Sequence, residues 1–81
     1  MNVEEIKEYV KKRDSILMDM DVEAMRSLCD ENGVPKSMTG GESFLAGMHK
    51  ARLEVVTMPE EKKEESKRWL MVNGYHKMIE D

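Results

Sequence analysis

The chain is short of nearly everything that staples or stiffens a small fold. One cysteine in 81 residues rules out an intramolecular disulfide and points to a reducing compartment, the cytoplasm. With one Trp, two Tyr and one Phe, any core must rest on aliphatic side chains and methionine. No apolar run approaches the roughly 18 residues of a membrane span, so no membrane is expected among the partners. Glu4, Glu5 and Glu8 stand where a secretory leader would be basic and then apolar, so no export signal is expected. A chain of this length holds one domain with a modest core. It is too small for a barrel or a two-domain dinucleotide enzyme.

What remains is charged and mildly acidic, with 13 Lys+Arg against 17 Asp+Glu and a net charge of -4. Five glycines and two prolines punctuate it, and the stretches between them carry helical periodicity. Val3, Ile6, Val10, Leu17 and Met20 recur at steps of three, four and seven behind Asn2, whose side chain suits an N-cap with Glu5 three residues on. The spacing predicts a first helix over about 3–19. Asp21 caps a second, about 22–32, with Val22, Met25, Leu28 and Cys29 on its buried stripe and Asn32-Gly33 ending it. After a loop by composition (34–41), Phe44, Leu45, Met48, Ala51, Arg52, Val55 and Val56 mark a third helix, about 42–57. Pro59 fits the first position of a fourth, about 59–72, buried through Ser66, Trp69 and Leu70 and ended by Asn73-Gly74.

These expectations make an all-α domain of four helices in two antiparallel pairs, with a short tail over 75–81. The expected core is Val3, Ile6, Val10, Leu17, Val22, Met25, Leu28, Phe44, Leu45, Met48, Val55, Trp69 and Leu70. The two Asn-Gly endings align at an offset of 41, together with Glu23/Glu64, Arg26/Lys67, Leu28/Trp69 and Lys36/Lys77. Shared capping chemistry explains that match more simply than duplication does.

Few residues offer chemistry. Cys29, His49 and His76 fall on separate elements without metal-ligand spacing. Met18 and Met20, two apart on a helix, diverge, and Asp19 and Asp21 lack the glycine and glutamate of a calcium loop. No metal or cofactor is expected. Cys29 sits on an apolar stripe, the usual place of an inert thiol, and nothing orients His49 as a base, so no enzyme is expected. The loop Lys36–Gly41 lacks the strand and the G-x-x-x-x-G-K-S/T pattern of a phosphate loop.

Binding is the better prospect. His49, Lys50 and Arg52 place positive charge within one turn of the third helix. Arg52 and Trp69 are of the types that anchor protein interfaces. The tentative binding set is therefore His49, Lys50, Arg52 and Trp69. The second helix, with Asn32-Gly33 and the helix after it, also suits a helix-turn-helix regulator of nucleic acid, although Gly40-Gly41 and the acidic balance oppose it. Nine methionines, with Met18, Met38, Met58, Met71 and Met78 off the main stripes, serve either as core filler or as an adaptable surface, with homo-oligomerisation one way to cover it.

Residues 44–74 carry Phe44, His49-Lys50-Ala51-Arg52, a proline-started helix at Pro59, and Ser66, Trp69-Leu70 and Gly74. In this they resemble small phage and prophage reading frames of unassigned function. The resemblance implies an accessory protein that binds a host or defence component. It supplies no activity and no catalytic residues.

Overall fold

The computed structural model describes residues 2–79 and is a small all-α bundle with no strand among them. Its helices are α1 (Val3–Asp19), α2 (Val22–Glu31), α3 (Gly41–Glu54) and α4 (Glu60–Val72), with single 3₁₀ turns at Lys36–Met38 and His76–Met78. α1 packs on α2 across a two-residue link, α3 packs on α4, and α1 lies against α3 to join the pairs.

The ends of the helices follow local rules. Asn2 accepts a hydrogen bond from the Glu5 N–H at 2.9 Å, and Asp21 accepts one from Ala24 at 3.1 Å. Each satisfies an N–H that has no partner inside its own helix. At the far end of α2, Gly33 takes φ +79, and Val34 N–H donates to the Cys29 carbonyl at 3.0 Å. α4 repeats the device, with Gly74 at φ +84 and Tyr75 N–H on the Leu70 carbonyl at 2.7 Å. Asn32 and Asn73 each donate to a carbonyl four residues back, Leu28 and Trp69, at 2.7 and 2.8 Å. A 3₁₀ turn follows in both places. α1 ends with the same bond pattern, Met20 to Leu17 and Asp21 to Ile16, but holds Met20 itself at φ 51, where glycine is the residue without steric cost.

Two boundaries differ from the expected ones by more than a residue or in kind. α3 stops at Glu54, three residues early, because Val55 turns extended at ψ 111. The β-branched run Val55-Val56-Thr57 and the steric bias of the residue before Pro59 both disfavour helix there. Pro59 is then the N-cap of α4 and not its first residue, with ψ 142 and its carbonyl accepting from Lys62 and Lys63. The expected tail begins with the 3₁₀ turn at His76–Met78, and its last two residues lie outside the described ones.

The core is made by Ile16, Leu17, Met25, Leu28, Met48, Val55 and Met58, with Tyr9, Met18, Val22, Cys29, Phe44 and Ala51 packed at its margin. Leu70 and Ala46 are also fully enclosed. Met58 is therefore a core residue although no helical stripe includes it, because the turn before α4 carries it inward. Phe44, Leu45, Val22 and Trp69 are half-buried. Val3, Ile6 and Val10, expected inside, are exposed: α1 runs past the bundle, and among the described residues none encloses these three.

Candidate functional site

The residues singled out on α3 and α4 do come together, but facing inward. Arg52 is 1% exposed. Its Nη2 donates to the Met18 carbonyl at 2.8 Å, one of the carbonyls α1 cannot satisfy by itself. A cation there also meets the negative end of the helix dipole. Nη1 donates to Ser66 Oγ at 3.3 Å and to Glu65 Oε1 at 3.2 Å. Ser66, 0% exposed, is 2.9 Å from His49 Nδ1. Ser66 Oγ links the guanidinium to the imidazole, accepting from Arg52 and sharing a hydrogen bond with His49 Nδ1. Arg52 thus ties α1, α3 and α4 at one point, its Nε enclosed without a hydrogen-bond partner.

Electrostatics follow the geometry. Burial first, and the Arg52 charge second, hold the His49 pKa below its ordinary value. Its hydrogen bond to Arg52 and the charge of that residue lower the Glu65 pKa. Serine beside histidine would make a nucleophile and base in an open cleft, but here no substrate atom reaches Ser66 Oγ unless the bundle opens.

The outer wall of this cluster is aromatic. His49 stacks on Trp69 at 4.5 Å and 18°, and Trp69 stacks on Tyr75 at 5.9 Å. Partial desolvation, with the Glu42 carboxylate second, raises the Tyr75 pKa. A shallow depression of about 290 Å³ lined by His49, Glu65, Arg68, Trp69, Val72 and Asn73 opens beside the stack. An exposed cationic face on α3 is therefore not what the fold contains. His49 and Arg52 are interior, Trp69 is half-buried, and Lys50 lies 3.8 Å from Glu54.

The apolar surface lies elsewhere. Met25, Cys29, Met38, Phe44, Gly47, Met48 and Ala51, with Arg13 and Ser43 at its rim, line an open groove of about 300 Å³ between α1, α2 and α3. Met38, held in the 3₁₀ turn, is 68% exposed at its edge. The turn is fixed from below, since Arg26 Nε donates to the carbonyl of buried Thr39 at 2.9 Å. Sequence reasoning flagged Met38 as off-stripe but had no means of joining it to Phe44 and Cys29. A second, polar depression of about 380 Å³ lies across α2 and that loop, lined by Glu23, Arg26, Ser27, Asp30, Lys36, Thr39 and Gly40. Among the described residues no three His, Cys, Asp or Glu side chains are placed to hold a metal ion, and no helix is long and apolar enough to cross a membrane.

The class defined by these features is a small all-α bundle with a buried arginine clamp and a methionine-lined groove. Comparison with known protein families, with curated proteins and with solved structures gives no match.

Proposed function

We propose that this chain is a non-enzymatic protein-binding accessory protein, whose groove between α1, α2 and α3 receives a short apolar helical segment of its partner. The observation that carries this reading is Gly47. It stands inside α3, where glycine costs about 1 kcal/mol against alanine. A Cβ there would meet nothing within 4 Å. Packing within the fold therefore does not require glycine, and a longer side chain at this lining position would stand in the groove. Methionines along the wall suit such a site because unbranched, polarisable side chains adapt to the shape they meet. The phage-like features of residues 44–74 make a host or defence component the natural partner, inhibited by occupation of its surface.

The helix-turn-helix alternative has less to stand on. Two of its three cations on α3 are interior, and residues 32–40, with a 3₁₀ turn, separate α2 from α3 where that motif uses a turn of about three or four residues.

The test uses two substitutions at one position. Gly47→Ala is expected to stabilise the fold by about 1 kcal/mol and to retain the partner captured from the native host. Gly47→Met is expected to keep the wild-type circular dichroism and lose that partner. Lys50→Glu is expected to retain it. A partner kept by a folded Gly47→Met protein would overturn the groove as the docking site.

A further inference from the structure

The two Asn-Gly endings stop helices, and they also carry a chemistry of their own. The chain has three asparagines and no glutamine, and Asn32 and Asn73 each precede glycine. When the backbone nitrogen of the next residue attacks the side-chain carbonyl carbon of asparagine, a C–N bond forms, ammonia leaves and a succinimide ring closes. Water then opens the ring at either carbonyl, to aspartate or, with the main chain rerouted through the side chain, to isoaspartate. Asparagine is among the thermolabile side chains, and glycine, without a Cβ, leaves its nitrogen unshielded. Val3 after Asn2 does the opposite, since its branched side chain crowds the attacking nitrogen.

In the closed caps both sites are held back. The Gly33 N–H donates to the Asp30 carbonyl at 3.1 Å and the Gly74 N–H to the Met71 carbonyl at 3.3 Å. Each asparagine Nδ2 is also bonded to a carbonyl four residues earlier. Reaction therefore proceeds from caps that have opened locally, and the cost of opening sets the rate. The α2 cap leads into a loop whose far end is fastened back to α2 by Arg26 on the carbonyl of buried Thr39, and the bond of Asn32 runs to the carbonyl of buried Leu28. The α4 cap has the longer glycine bond, and Asn73 is bonded to half-buried Trp69, with exposed Met71 and Val72 between them. Asn73 is the site that opens more often.

We propose that Asn73 is a site of spontaneous covalent modification, where conversion to aspartate and isoaspartate loosens the last turn of α4 and releases Tyr75 from Trp69. In the aspartate product an oxygen replaces Nδ2, so two acceptors face each other where a 2.8 Å hydrogen bond stood. The new negative charge also lies at the negative end of the helix dipole. In the isoaspartate product an extra carbon enters the turn that Gly74 closes at φ +84. The Tyr75 N–H then no longer meets the Leu70 carbonyl, and the ring leaves its stack on Trp69. The reaction needs only water and lies outside the methionine groove, so it stands apart from the docking reading.

Incubation of the folded full chain in mildly alkaline buffer tests it, with peptide mapping by mass spectrometry and with the fluorescence of Trp69. Asn73 is expected to react about fivefold faster than Asn32, the effect of one hydrogen bond such as that of Arg26 on the loop, and Asn2 is expected to be slowest. In concentrated urea Asn32 and Asn73 are expected to react at nearly equal rates, because no cap holds either. Trp69 fluorescence is expected to change in step with Asn73 and not with Asn32, and Asn73→Gln is expected to hold it constant. Equal rates in the folded chain, Asn32 reacting first, or full conversion at Asn73 with unchanged Trp69 fluorescence would each overturn the proposal.

Discussion

Replacing Arg52 by alanine removes a side chain of α3 that hydrogen-bonds to both α1 and α4. The charged hydrogen bond to the Met18 carbonyl is worth about 2 kcal/mol, and the two enclosed methylenes beyond Cβ about 1.6 kcal/mol more at about 0.8 each. The enclosed Nε without a partner returns about 1 kcal/mol when it is removed. The contact with Glu65 adds little, because that carboxylate sits in water. The net loss is about 3 kcal/mol, roughly a hundredfold in the folding equilibrium, from a total of about 4–12 kcal/mol for a chain of this size. Urea unfolding followed by circular dichroism and by the fluorescence of Trp69, the single tryptophan, measures it. Arg52→Met keeps most of the stem and should cost less than Arg52→Ala, and Glu65→Gln should leave the midpoint nearly in place. An Arg52→Ala protein within about 1 kcal/mol of wild type, or an Arg52→Met protein less stable than it, would refute the clamp.

Two further outcomes are expected. His49 is held below its ordinary pKa of about 6.5, so on acidification the unfolded chain takes up the proton first. Stability should be complete above that value and fall as pH drops through it toward the folded pKa, and urea midpoints of His49→Gln should be flatter over the same window. Met20 is the positive-φ residue of the described chain that is not glycine, and its side chain packs at the core margin; Met20→Gly should therefore be about 1 kcal/mol more stable than Met20→Ala, which gives up the same packing and keeps the strain, and equal thermal midpoints for the two would place no strain there.

Much of the fold was legible because its signals are local. Asn2, Asp21 and the two Asn-Gly pairs act within four or five residues of themselves, and each ends or starts a helix as its chemistry requires. Ser66 and Leu70 were readable as the buried side of α4. What escaped depends on distance along the chain. Periodicity identifies the face on which Val3, Ile6 and Val10 lie, yet it does not say whether another element arrives to cover them. Arg52 falls on the periodic stripe of α3, yet what its charged end meets is not readable until the end of α1 is placed beside it with an unsatisfied carbonyl. Met58 belongs to no periodic stripe, since a turn delivers it to the core. Met20 takes a left-handed conformation with no glycine to announce it. The candidate site follows the same division: Trp69 was readable as part of the buried side of α4, while the burial of His49 and the reach of Arg52 to α1 were tertiary facts.

The arginine clamp also orders events in time. Its partners on α4 lie 13 and 14 positions away in the chain, whereas Met18 lies 34 away. Closing the shorter loop forfeits less chain entropy, so α3 and α4 can join first and present a guanidinium with one half already engaged. α1 then brings Ile16 and Leu17 into the core and its Met18 carbonyl to the guanidinium. On that sequence the contact to Met18 is absent from the folding barrier, and its loss speeds unfolding far more than it slows folding. The grip of Arg52 on α1 then governs how long the bundle stays shut and has little bearing on how quickly it assembles.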